Sequence, residues 1–361
     1  MPARFAISLL GLCLFGALLA LLAPLPPVPL APPPPPRIVL VAVGDILLGR
    51  QLGEEMARTG DYSIAFQNIR ANLTSADLTF GNLEGPFCGE PPYPAAGMIF
   101  RFRPQAVESL LLAGFDAVSL ANNHSGDGGD ACLKFSLSHL RGAGIEPVGA
   151  GENYNAAHAP AILERHGIRF AFLGYTYAAR NDTPEAKRSV VAGRDPENVR
   201  RDVAAAHTRA DVVVVSLHDG AEYTTRVARE TEQFARAAID AGASLVLGHH
   251  PHVPQRVEAY NGGWIFYSLG NFAFQQNTPA STRTALLARI AFSGRAIERV
   301  EALPVVIEWF AQPRLANEEE SAPILKSVGL DDRLLWPVPA SQFASSPASA
   351  AGTTVAAAQR D

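Results

Sequence analysis

Predominantly apolar runs, each closed by a small group of polar side chains, recur along most of the chain. Residues 38–43 are six apolar positions in a row ending in Gly44-Asp45, the pattern of a buried strand with a loop at its carboxyl end. Residues 76–80 repeat the arrangement and run into Gly81-Asn82-Leu83-Glu84. Residues 115–120 end in Ala121-Asn122-Asn123-His124, residues 212–217 in His218-Asp219-Gly220, and residues 244–247 in Gly248-His249-His250-Pro251-His252. Helical spacing appears between them. Val107, Leu110 and Leu111 follow Pro104 and precede a Gly114 stop, a second helix is expected over residues 130–143, and a third over about 230–241.

The carboxyl-terminal third changes character. Residues 257–268 carry a Gly-containing turn between two strand-like stretches, which predicts a hairpin. A second hairpin is expected from residues 284–292 and 297–306. A βα-alternating first half thus meets a more antiparallel second half, which predicts an α/β fold of two packed sheets with helices outside. From about Pro337 to Asp361 the chain is Ala, Ser, Pro and Thr without periodicity, and a disordered tail is expected. No internal repeat is visible.

The amino terminus reads differently. Arg4 precedes residues 5–23, an apolar run without a charge. As a helix it would reach roughly 28 Å, close to the ~30 Å hydrocarbon core of a bilayer. A cleaved signal peptide has a shorter apolar centre of about 7–15 residues and a small-x-small site, and none follows Leu21. Leu12 before Cys13 speaks against lipoprotein processing. Residues 1–23 are therefore expected to be an uncleaved inner-membrane anchor, with secretion the outcome if cleavage occurs. Arg4 stays inside and the rest reaches the periplasm or cell surface. Residues 24–36, dominated by proline, would form an extended spacer of about 40 Å, and residues 37–336 the folded domain.

Composition narrows the partners. The 361 residues are 48% hydrophobic, enough for a substantial core. A net charge of −5 without a basic run argues against nucleic acid. Cys88 and Cys132 are an even pair in an exported domain, readable as a disulfide or as two buried free thiols.

The strand ends hold the chemistry. Side chains at the carboxyl ends of strands project into one crevice, and five such ends here offer Asp, Glu, Asn or His, the composition of a metal site. His250 and His252, two apart across a stiffening Pro251, can converge on one point.

The runs Gly44-Asp45, Gly81 to Glu84, Ser119 to Asp127, His218 to Tyr223, Gly248 to Val253 and Ser268 to Phe272 resemble the CapA family of bacterial capsule and poly-γ-glutamate synthesis. The resemblance implies a four-layer α/β/β/α sandwich of the calcineurin-like metallophosphoesterase type. It implies that Asp45, Glu84 (in preference to Asn82), Asn123, His218, His250 and His252 bind one or two divalent ions, with Mn, Zn or Fe all suited. A carboxylate can bridge such ions, and the pair lowers the pKa of a shared water. His124 would be a proton donor instead of a ligand.

The chain also departs from the pattern. The wider superfamily begins Asp-x-His, but Leu47 stands at the third position, so one ion loses a nitrogen ligand. Asp219 replaces a Trp and Gly128 a Tyr, which suggests a more open and more polar mouth. Arg50, just past the Asp45 loop, is a candidate catalytic or anion-contacting residue, and Arg103 a candidate substrate contact, because guanidinium forks suit carboxylate and phosphate. Asn82, Asn122, His249 and Asn271 are further candidate substrate contacts. His139, His158, His166 and His207 read as surface residues. Both cysteines follow ligand-bearing loops by a few residues, so a common crevice would bring them together as a disulfide.

Two functions remain open at this point. One is a surface metallohydrolase cleaving an ester, amide or phosphoester of an anionic envelope polymer. The other is a non-catalytic accessory protein that guides polymer within a capsule synthesis complex.

Overall fold

The computed structural model describes residues 35–332. The expected membrane helix, almost all of the proline spacer and the expected tail from Pro337 lie outside the described residues. No described helix is long and apolar enough to cross a membrane.

The first strands are β1 (Arg37–Ile46), β2 (Leu78–Leu83), β3 (Ala117–Ser119), β4 (Glu146–Val148) and β5 (Ala150–Gly151). Next come β6 (Ala161–Arg165), β7 (Ile168–Thr176), β8 (Val190–Val191), β9 (Val212–His218) and β10 (Leu245–His249). The last are β11 (Val257–Tyr260), β12 (Gly263–Phe266), β13 (Thr284–Ser293), β14 (Ala296–Glu308) and β15 (Gln312–Leu315). They form a seven-stranded sheet in the order β15-β14-β13-β1-β2-β3-β4 and a six-stranded sheet in the order β11-β12-β10-β9-β7-β6, with β5 and β8 as a separate pair.

The continuous apolar runs are explained by burial on both faces. Alternate residues of β1 face opposite ways. Leu40 and Ala42 meet Phe80, Phe172, Val214 and Leu247 in the core between the sheets, where the Phe80 and Phe172 rings stack at 5.2 Å. Val41 and Val43 instead join Leu110 and Leu137 in a second core under the helices Val107–Ala113 and Gly129–Gly142. On the outer face of the other sheet, Val213, Val215 and Val246 pack with Val203 of the helix Pro196–His207 and Phe234 of the helix Arg229–Asp240. The order of layers is helix, sheet, sheet, helix.

Two features differ from the sequence reading. The halves of the chain do not correspond to the two sheets, because β13 returns to pair with β1, Arg37 lying opposite Ser293, and β14 pairs with β13 beyond it. The hairpin β6–β7 and the helices Arg50–Thr59 and Pro196–His207 were not anticipated. The last had a readable signal: Asp195 caps the backbone N–H groups of Glu197 and Asn198, and Pro196 occupies the first turn.

Parallel register positions the site. Asp45 lies opposite Asn82, Asn82 opposite Ser119, and His218 opposite His249. The carboxyl ends of neighbouring strands therefore align within each of the two sheets. Cys88 and Cys132 are joined by a disulfide, their Cα atoms 4.6 Å apart. A Cβ at Gly128 would run into both sulfurs, so the bridge occupies the space that a larger residue there would need.

Candidate metal centre

Asp45 sits where β1 leaves its regular register with β2. Its backbone N–H donates to the Gly270 carbonyl (3.0 Å), and its own carbonyl accepts from Phe272 (2.8 Å). A Cβ at Gly44 would run into the Gly270 carbonyl, so a glycine is required for this approach. The Asp45 carboxylate accepts from Asn82 Nδ2 (2.8 Å) and from the His250 backbone N–H (3.2 Å). Asn82 Nδ2 also faces His218 Nδ1 at 3.1 Å, and Asn82 Oδ1 accepts from Asn122 Nδ2 at 3.2 Å. His218 Nε2 lies 2.7 Å from Asn123 Oδ1.

Glu84 is the exception in this network. It is fully buried and neither carboxylate oxygen has a hydrogen-bond partner. His252 Nε2 stands 3.8 Å from Glu84 Oε1, while His252 Nδ1 is 3.4 Å from Asp45 Oδ2 and 2.8 Å from Asn271 Oδ1. One donor atom each from Asp45, Glu84 and His252 lies within 4.8 Å of the others. His249, 3.6 Å from Asp45, has both ring nitrogens without a hydrogen-bond partner, and His250 Nδ1 has none either. The turn carrying these rings holds His250 and His252 at φ of 96° and 58°. Left-handed backbone at non-glycine residues costs of order 1–3 kcal/mol each and clusters at functional sites.

The ionisation pattern follows from crowding. Burial, and then the Asp45 charge, push the Glu84 carboxyl well above its ordinary range. Burial would also raise Asp45, but His252, by hydrogen bond and charge, outweighs it and holds Asp45 low. Burial takes His249 down to about 4, and burial with His252 takes His250 down to about 4. His218 is pushed well below 6.5 by burial and its histidine neighbours. His252 goes the other way, to about 9, because Glu84 and Asp45 overcome its burial. Neutral imidazoles beside unpartnered carboxylate oxygens are the donor set of a divalent cation, and the residues present fit such an ion.

His124 borders this centre. Its Nδ1 pairs with Asp127 Oδ2 at 2.7 Å, its ring stacks on Phe100 at 3.8 Å, and its Nε2 lies 4.0 Å from Glu84 Oε1. Arg50 lies over the other side of this aromatic step, its guanidinium 4.6 Å from the Phe100 ring and bonded to the carbonyls of Gly97 and Gln275.

The structure thus brings Asp45, Asn82, Glu84, Asn122, Asn123, His124, His218, His249, His250, His252 and Asn271 into one connected cluster, with Arg50 at its margin. Arg103 is engaged elsewhere, paired with Glu54 at 2.7 Å and lying over Tyr93. Asp219 does not make the mouth polar. It is buried, bonded to Thr231 at 2.7 Å and Arg194 at 2.9 Å. Aromatic rings from other segments line the site instead: Tyr177 beside His250, and Tyr223 and Phe274 beside His252. His158 is not a surface residue either, since it is buried between Asp182 and Asp202. Asp127 and Glu222 were missed. Asp127 stands three residues after His124, a spacing that could have flagged it.

Residues 39–276 match the family model of the bacterial capsule synthesis protein PGA_cap. This chain belongs to that family. The resemblance to CapA proteins is borne out by two relatives. The PGA biosynthesis protein CapA of Bacillus subtilis (strain 168) is 32% identical over 306 residues, covering 82% of this chain and 79% of that protein. The capsule biosynthesis protein CapA of Bacillus anthracis is 34% identical over 263 residues, covering 70% of this chain and 63% of that one. Among solved structures, a hypothetical protein from Thermus thermophilus aligns at 16% identity and a TM-score of 0.48, over 74% of this chain and 98% of that one. A putative 5'-nucleotidase from Staphylococcus aureus aligns at 15% identity and 0.46, over 81% and 58%.

Proposed function

We propose that this PGA_cap protein is a metal-dependent hydrolase acting on an anionic polymer of the cell envelope, on a metallophosphoesterase-type sandwich. The observation that carries the reading is Glu84, buried with both oxygens unpartnered, converging with Asp45 and His252 and facing the Nε2 of His124. An unpaired buried carboxylate costs several kcal/mol, and burial of this kind is retained where a cation is held. Asp45, Glu84, Asn123, His218, His250 and His252 would hold one or two divalent ions. When bound, such ions polarise the scissile group and make water more acidic.

The remaining work falls to the protein. Asp127 accepts from the Phe100 backbone N–H at 2.7 Å while pairing with His124 Nδ1. Ring and orienting carboxylate are thus locked together, and the second ring nitrogen is left toward Glu84. His124 would hold a proton at Nε2 and deliver it to the departing group. Phe100 excludes water from one face of that imidazole. Arg50, braced by two backbone carbonyls, would orient a carboxylate or phosphate of the polymer.

The family and the capsule-related names of its relatives support a role in capsule or poly-γ-glutamate assembly. The disulfide supports a domain on the oxidising side of the membrane, in the periplasm or at the cell surface, tethered through residues 1–23. The test pairs metal analysis of the purified chain with hydrolysis of poly-γ-glutamate and of model phosphoesters. Wild-type protein that binds divalent metal and cleaves one of these, alongside a His124→Ala variant that binds metal and cleaves nothing, supports the reading. A His124→Ala variant that fully complements a capsule-deficient strain would sink it in favour of an accessory role.

A further inference from the structure

We infer that Glu222 is itself a metal ligand, completing with His250 a second, solvent-facing cation site beside the buried Asp45–Glu84 one. The inference rests on the reading above that the cluster holds divalent ions.

Three observations converge. A Glu222 carboxylate oxygen and one ring nitrogen each of His250 and His252 lie within 4.8 Å of one another. His250 is 4% exposed and its Nδ1 has no hydrogen-bond partner, so a buried donor atom is left free in this group. The segment carrying Glu222 is also fastened to the backbone of the very turn that carries the histidines. Asp219 N–H donates to the His249 carbonyl (3.1 Å) and Tyr223 N–H to the Pro251 carbonyl (2.9 Å), so Glu222 is held between two anchors. Tyr223, with φ at 61°, takes a third bond from Gln276 Nε2 to its hydroxyl (2.8 Å). Glu222 does not drift past these rings on a loose loop.

The sequence supplies the reason. Leu47 stands at the third position of the Asp-x-His pattern, and it is fully buried in the helix-side core. That position offers no imidazole, and Glu222 would offer a carboxylate from the loop after β9 instead. An oxygen donor in place of nitrogen makes the site harder and favours Mn²⁺ over softer ions. His252 belongs to both donor groups, so the two candidate sites adjoin one another.

The experiment titrates the full-length, metal-stripped chain with Mn²⁺, reading stoichiometry by calorimetry and the coupled-pair signal by electron paramagnetic resonance. Wild-type protein should take up two equivalents and show the coupled signal. Glu222→Gln should take up one equivalent, lose the coupling and keep the metal-free melting temperature. Glu84→Gln should lose the other equivalent. A Glu222→Gln protein with unchanged stoichiometry and signal overturns the inference and leaves the hydrolase reading standing. Loss of both equivalents from a folded Glu222→Gln protein overturns the assignment to a single ion. Wild-type protein that binds no Mn²⁺, Zn²⁺ or Fe²⁺ overturns the metal reading itself.

Discussion

Two buried charged clusters share this domain and are built on opposite terms. Around His158 the partners satisfy one another. Nδ1 meets Asp202 at 2.7 Å, Nε2 meets Asp182 at 2.8 Å, the Tyr175 hydroxyl donates to Asp202 at 2.9 Å, and Arg201 Nε donates to the same carboxylate at 2.9 Å. At the strand ends, Glu84, His249 and His250 are buried with polar atoms that have no hydrogen-bond partner. A fully paired network rigidifies a fold, whereas buried groups left unpaired cost stability unless a ligand completes them. Burial of charge alone does not mark a functional site; incomplete pairing does.

Mutations can break or sharpen that contrast. The largest effect is expected from His124→Ala, with a rate loss of ~10²–10⁴-fold, bound metal unchanged by elemental analysis and melting temperature retained. Removing the bridge with Cys88→Ser and Cys132→Ser should cost ~3–4 kcal/mol by denaturant unfolding, given the 44-residue separation. The loss should be accompanied by weaker metal binding, because the bridge lies just behind Glu84 and the His124 loop. His158→Ala should cost about 3 kcal/mol, since it strands Asp182 and Asp202, with metal uptake unaffected. Glu84→Gln should do the reverse, raising metal-free stability by about 1 kcal/mol while weakening metal uptake. A destabilised Glu84→Gln protein would mean that the strand-end cluster is as self-sufficient as the other.

The smallest effect is the pH dependence carried by His158. Burial alone would lower the pKa of His158, but its bonds to Asp182 and Asp202 raise it from 6.5 to about 9. Its contribution is then complete below pH 6.5 and is lost as pH rises through about 9. The stability gap between wild type and His158→Gln should narrow over that window. A gap that stays constant from pH 6 to about 10 would mean the charge is not what binds the cluster.

What could be read from the chain depended on whether the information was local. Strands buried on both faces write themselves as continuous apolar runs, so β1, β9 and β10 were legible together with the polar residues that end them. Parallel register then aligned Asp45 with Asn82 in one sheet and His218 with His249 in the other, and the packing of the two sheets brought the pairs together. Contacts between distant segments left no such trace. His158 gave no sign of its tie to Asp202, 44 positions away. Arg103 read as a candidate substrate contact because its partner Glu54 lies on a helix that the periodicity did not reveal. Asp219 read as part of a more open and more polar mouth, yet Arg194 and Thr231 hold it buried.

The return of β13 to β1 has a consequence for how the protein is made. A chain synthesised from its amino terminus releases Asp45 first, but the strand that carries it has one neighbour missing until Thr284–Ser293 emerges. The Ser268 to Phe272 backbone that clasps Asp45 arrives at nearly the same late moment. Pairings of such long separation close slowly, so the proposed cation site is among the last parts to take shape. A nascent or prematurely ended chain would lack the backbone that positions Asp45 beside Glu84 and His252.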